Sequence, residues 1–223
     1  STPTPEGNPP PFSLLESQVN TVHLFSPSNT FVSLSGQDCR EVMALLSGVD
    51  SSGGVSGGLP ADALRLQIRL LNGETYAYYC GREQVLLEGG LLYPAEGKEL
   101  YETLQTLLAD HPRQGAGWLG HMNPYRIVEA QGRIGETVRK LDARSQVGRR
   151  SLLTLAAELQ AVLVLPESYQ TFPSGTREAL LPTAEAVILL SFDSGVTYTV
   201  TLGKTQLAVE SSDMDFGTLY TLA

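Results

Sequence analysis

Residues 70–88, LLNGETYAYYCGREQVLLE, decide how this chain folds: two turn signals, Asn72-Gly73 and Gly81-Arg82-Glu83-Gln84, separate runs of alternating apolar residues. Such a pattern is a hairpin signature, and the length of the first loop sets which side chains share a face. A two-residue loop at Asn72-Gly73 would set Ile68 opposite Ala77 and Leu66 opposite Tyr79, which leaves Tyr76, Tyr78 and Cys80 beside Arg69, Gln67 and Arg65. A three-residue loop, Leu71-Asn72-Gly73 with its glycine left-handed, sets Ile68 opposite Tyr76, Leu66 opposite Tyr78 and Leu64 opposite Cys80. One face then becomes wholly apolar, so the spacing predicts this register.

The pattern returns near the C-terminus. With Gly73 aligned on Gly195 and no gap, Thr75-Tyr76 meets Thr197-Tyr198, Gly81 meets Gly203, Gln84 meets Gln206 and Glu88 meets Glu210. The same register pairs Leu190 with Tyr198, Ile188 with Val200 and Ala186 with Leu202, and puts Thr197, Thr199 and Thr201 on the other face. Shared residues at one offset point to a duplication, each copy a three-stranded meander with one apolar face to cover.

A meander alone buries too little, so each copy needs a helix. Cys39, Val42, Met43 and Leu46 lie at helical spacing between Gly36 and Gly48, and Leu152, Leu155, Ala156 and Leu159 do so before the second meander. Edge strands are expected ahead of them at residues 21–25 and 137–141, and mobile loops at 51–60 and 169–182. An amphipathic helix over residues 97–110 follows the first meander, with Leu100, Tyr101, Leu104, Leu107 and Leu108 on one side. The second copy reaches Leu219-Tyr220-Thr221-Leu222, too soon for an equivalent helix. The expected class is α+β: two tandem repeats, each a strand, a helix and a three-stranded antiparallel meander with the helix on one sheet face. The divisions are a Pro-rich disordered spacer at 1–18, a first repeat at 19–111, a linker at 112–128 and a second repeat at 129–223.

Among 223 residues no apolar run reaches the roughly 18 of a membrane helix. Net charge is −9, and the 15 basic residues are scattered, so no stripe can neutralise a row of phosphates and nucleic acid is not expected as a partner. The opening Ser-Thr-Pro-Thr-Pro-Glu-Gly-Asn-Pro-Pro-Pro reads as an extended spacer. With no initiator methionine, it suggests removal of a signal or lipid-anchor segment and an extracellular or cell-surface location.

Few residues suggest chemistry. Cys39 and Cys80 both fall on apolar faces that pack together, which fits either a disulfide in an oxidising compartment or two buried thiols. His23, His111 and His121 have no metal-ligand spacing, so neither metal nor cofactor is expected. Gly115-Ala116-Gly117-Trp118-Leu119-Gly120 lacks the Lys-Ser/Thr ending of a phosphate loop and reads as a hinge with Trp118 as an aromatic anchor. The outer face of the first meander carries Tyr79 near Arg65, Gln67 and Arg69, a surface suited to gripping a partner unless the other copy or the following helix covers it. The turn glycines and topology include no residues diagnostic of a family.

These features favour an exported, non-enzymatic binding or regulatory protein with Tyr79, Arg65, Arg69 and Trp118 as binding residues. Its partner would be another protein or a cell-envelope component, met by the outer sheet faces or the two loops. Two alternatives remain open. One is a hydrolase or carbohydrate-active enzyme with Asp110, Glu129, Glu136 and Asp142 gathered at the junction between repeats. The other is a structural spacer in a surface assembly.

Overall fold

The computed structural model describes residues 12–95, 98–166 and 168–223. The Pro-rich opening at 1–11 lies outside the described residues. The chain divides into two compact units, one built from the described residues up to Ser26 with Val32–His111, the other from Pro27–Phe31 with Pro112–Ala223. Among the described residues no helix is long and apolar enough to cross a membrane.

In the first unit a hairpin of β1 (Val19–Phe25) and β2 (Thr30–Leu34) leads into helix α1 (Gly36–Ser47). The meander of β3 (Leu64–Leu70), β4 (Thr75–Cys80), β5 (Gln84–Leu87) and β6 (Leu92–Pro94) follows, and then helix α2 (Glu99–Asp110). The sheet runs β6-β5-β4-β3-β1-β2. The three-residue loop is present: Leu64 pairs with Cys80, Leu66 with Tyr78 and Ile68 with Tyr76. Gly73 has φ +89°, and Leu70 N–H donates to the Glu74 carbonyl at 2.8 Å. The left-handed residue closes the turn and keeps the two apolar strands in phase.

The alternation then produces the core. Val22, Leu24, Leu64, Leu66, Ile68, Tyr78 and Cys80 on the sheet pack with Cys39, Val42 and Leu46 of α1 and with Leu100, Tyr101, Leu104, Leu107 and Leu108 of α2. Phe12, at sequence level part of the spacer, belongs to this core, where its ring meets Tyr78 at 5.7 Å and Tyr93 at 4.9 Å. A bulky aromatic beside two tyrosines is worth more buried than exposed, which ties residues 12–18 to the fold.

The second unit contains β7 (Gln114–Ala116), α3 (Gly117–His121), a hairpin of β8 (Ile127–Ile134) and β9 (Thr137–Asp142), and helix α4 (Gln146–Gln160). It continues through β10 (Gln170–Pro173), the short α5 (Arg177–Leu180), and a meander of β11 (Ala186–Phe192), β12 (Thr197–Leu202), β13 (Gln206–Ser211) and β14 (Phe216–Thr221). In this unit Thr30 and Phe31, the start of β2, pair with β7. Its main sheet runs β10-β14-β13-β12-β11-β8-β9. Apart from β10, that order repeats the first sheet strand for strand. The register repeats too: Ala186 pairs with Leu202, Ile188 with Val200 and Leu190 with Tyr198, and Gly195 has φ +87°.

Several elements depart from the sequence expectation. Residues 21–25 lie in β1, an inner strand between β3 and β2, whereas 137–141 lie in β9, a true edge. The repeat unit is therefore a hairpin, a helix and a four-stranded meander, because one further hairpin strand, β2 (Thr30–Leu34) in the first unit and β8 (Ile127–Ile134) in the second, and a fourth meander strand complete each sheet. Residues 112–128 are a folded part of the second unit: Leu119, Met122 and Ile127 are buried in its core with Leu152, Ala156 and Leu159 of α4. Residues 169–182 contain β10 and α5, held by Phe172 packed against Ala208 and Leu219. In the loop at 51–60, Val55 exchanges two backbone hydrogen bonds with Leu92, each 2.9 Å.

Candidate functional site

The helix-facing side of the second sheet is only partly covered. α4 lies over one end, where Ser145 Oγ accepts from Gly148 N–H at 2.9 Å and caps the helix start. Its apolar stripe, Leu152, Ala156 and Leu159, is buried against the strands. Beyond Leu155 the sheet face opens into an apolar groove of about 280 Å³. Its floor is Ala130, Gly132 and Ile134 of β8, Leu141 of β9, Ala186 and Ile188 of β11 and Leu202 of β12. These residues meet because strand parity puts them on one face: Ile188 pairs with Gly132 and Ala186 with Ile134, while Gly132 in turn pairs with Arg139. Ile134 is 70 % exposed, and the space above Gly132 is open enough that a Cβ there would touch nothing.

The same face in the first unit is closed. Its equivalents of Ala186, Ile188 and Leu202 are Leu64, Leu66 and Cys80, exposed by 4 %, 0 % and 0 %. The cover is α2, whose Tyr101 hydroxyl donates to the Asp62 carbonyl at 3.1 Å and whose ring lies 5.6 Å from the Arg82 guanidinium carbon. Among the described residues the second unit has no helix after β14. Its groove residues are also smaller, with Ala186 for Leu64 and Gly132 on the strand where the first unit has Leu24. The edge strand differs in charge: β2 turns Val32 and Leu34 to the core, whereas β9 turns Thr137, Arg139 and Leu141 to the same side. Arg139 is exposed at the rim of this apolar floor.

The binding residues expected from sequence are placed differently. Arg65 donates to the Tyr79 hydroxyl at 2.7 Å, stacks over the Tyr79 and Phe25 rings at 5.4 and 5.9 Å, and pairs with Glu88 at 3.6 Å. Both terminal guanidinium nitrogens and the flat face are thus engaged within the unit, while Nε is buried without an acceptor. Arg69 is buried, 2 % exposed, as is Gln67, so this surface does not stand open to a partner. Trp118 is half-buried on α3, its ring 5.7 Å from Phe216, and it packs on the second core rather than standing in a hinge. Its Nε1 is buried without an acceptor.

Both cysteines are free thiols, buried in the first core, so of the two sequence alternatives the structure has the thiols. Burial pushes the Cys80 thiol up to about 12, and burial above all, with Glu16 adding to it, raises Cys39. A thiol held protonated is a poor nucleophile. His111 Nε2 lies 2.9 Å from Asp38 Oδ2 and links the end of α2 to the first turn of α1. Among the described residues no group of three or more His, Cys, Asp or Glu side chains is placed to hold a metal.

Of the four carboxylates considered for hydrolysis, Glu129 and Asp142 are cross-strand partners. Glu129 pairs with Lys140 at 2.9 Å, and Asp142 with Arg144 at 2.6 Å. Hydrogen bonds from the Arg144 side chain and backbone hold Asp142 down to about 2, too low for a general acid at neutral pH. Glu136 lies in the turn between β8 and β9, and Asp110 ends α2 in the first unit. The site that the sequence reading missed is the groove. Its signal was the small residues at 132 and 186 on the apolar side of their strands. Comparison with protein-family models, curated proteins and solved structures finds no match for this chain.

Proposed function

We propose that this protein is a non-enzymatic binding or regulatory module whose recognition surface is the apolar groove of the second unit. One observation carries this reading: among the described residues an apolar sheet face stays open in the second unit, whereas the first unit closes the equivalent face. Exposed contiguous apolar surface bordered by charge is a usual mark of an interaction site. The aromatic and basic surface around Tyr79 and Arg65 serves the first unit's own packing, and the groove takes its place as the contact surface. The Asp142–Arg144 pair supports a structural rather than a catalytic role for the carboxylates near α4. Placement at a cell surface, with the module tethered or released, rests on the Pro-rich composition of the opening residues.

A photo-crosslinking residue at Ile134, compared with one at Val147 on α4, tests the reading in the native cell. Both positions are well exposed. A discrete adduct at 134 and none at 147 is the expected result. Equal, diffuse labelling at the two sites, or none at either, rules the groove out as the contact surface.

A further inference from the structure

We propose that the second unit carries a cleft that recognises an extended Ser-Asn-Thr-Phe segment. The chain fills it in cis with its own residues 28–31, and a separate peptide of the same sequence takes their place when they are loosened. None of the cleft residues lines the apolar groove, so the two sites are distinct.

Pro27–Phe31 belongs to the second unit, although the remainder of that unit starts at Pro112. Specific contacts hold these remote residues there. The Asn29 carbonyl oxygen accepts from Gly117 N–H at 2.7 Å and from the Tyr220 hydroxyl at 2.9 Å, while Asn29 Nδ2 donates to that hydroxyl at 3.5 Å. Burial pushes the Tyr220 hydroxyl up to about 12, so it keeps its proton and stays a donor at neutral pH. Ser28 Oγ donates to the Pro166 carbonyl at 3.0 Å. Thr30 then pairs with Ala116 and Phe31 with Gln114, which adds a short antiparallel strand to β7.

Each position is selected by shape. Asn29 has φ +54°, a left-handed conformation that asparagine adopts more readily than most residues and that a β-branched residue resists. Thr30 and Phe31 are each 0 % exposed. A Cβ at Gly117 would come within 2.6 Å of the Asn29 carbonyl oxygen, and one at Gly115 within 3.0 Å of the Phe31 ring. The glycines at 115 and 117, expected from sequence to form a hinge, thus admit the backbone and the ring of this segment. Strand addition gives affinity through the main chain and selectivity through seated side chains. Because the cleft is built from residues 114–117, 166 and 220, all distant in sequence from the segment, a free peptide can make the same contacts.

The test uses the full chain and a fluorescein-labelled peptide of residues 26–32. Asn29→Val puts a β-branched residue at the left-handed position and should loosen the chain's own segment, so that the peptide binds about tenfold more tightly than to the parent. Binding should be saturable, and Gly117→Ala added to Asn29→Val should abolish it, because the new methyl group takes the place of the Asn29 carbonyl. Hydrogen exchange reports the state of the segment. Protection at residues 26–34 and 112–123 should fall in the variant, return at 112–123 with peptide, and stay unchanged in β12 and β13. Asn29→Ala, a milder strain, serves where Asn29→Val unfolds the second unit. Peptide binding to neither loosened chain, or binding that survives Gly117→Ala, overturns the proposal. Loss of protection across the whole second unit in both variants also overturns it, since no cleft then exists without the segment. Unchanged protection at 26–34 in both variants removes Asn29 as the anchor, and the cleft with it.

Discussion

The two units share a strand order and a hairpin register, yet one closes its sheet with a second helix, whereas among the described residues the other leaves the equivalent face open. α2 buries five large side chains in the first core, and its closing residue His111 binds Asp38 at the start of α1. In the second unit the carboxylate before α4 is tied locally, to Arg144 two residues on. The same scaffold thus serves stability in one copy and exposure in the other.

The largest effect is expected where the cover acts. Leu104→Ala, in the first core, should cost about 2–5 kcal/mol, because it removes buried methyl groups and leaves a cavity. Leu155→Ala, on the half-open wall of the groove, should cost clearly less, about 1 kcal/mol, in the same urea titration monitored with hydrogen exchange to separate the units. Equal losses would mean that the groove is as closed as the first core and would end the contrast.

Next in size are the two turn glycines, which test how far the copies are alike. Gly73 and Gly195 have φ +89° and +87°, so replacement of either by alanine should cost about 1–2 kcal/mol. Similar values for the two would confirm that both hairpins depend on the same left-handed residue. A cost at one glycine alone would show that the loops are closed by different means.

The smallest effect is electrostatic, and its sign follows from Asp142. Its carboxyl is held down to about 2 from the usual 3.8, chiefly by Arg144 hydrogen bonds. A folded-state value below the unfolded one gives stability that is present above about pH 4 and lost as the pH falls through about 2. Asp142→Asn should therefore be slightly less stable than the parent at pH 7, and the gap should close between pH 4 and pH 2. A gap that stays constant with pH would show that the Asp142–Arg144 pair is not what differs between the two proteins.

The meander registers were legible because they are local. Once Gly73 was assigned to a left-handed position, alternation along Leu64–Leu70 and Thr75–Cys80 left a single register with an apolar face. The helices were legible for a similar reason, since Val42 and Leu46, or Leu152, Ala156 and Leu159, repeat at the helical period. β2 was missed because five residues are too few for a period to show, and 112–128 was taken for a linker because its glycines hide the buried Leu119, Met122 and Ile127. The aromatic and basic surface at Tyr79 was correctly placed on one sheet face, but its engagement with Phe25 and Glu88 arises between strands whose adjacency no single run of sequence encodes.

Sequence alone determined the duplication, the α+β class and which residues of each strand share a face, because turn geometry and side-chain alternation act over a few residues. Tertiary structure alone decided which of the two equivalent apolar faces is covered. Burial is a property of whatever packs above a residue: Ala186 and Ile188 read as core positions from their strand alone, and among the described residues they line an open groove.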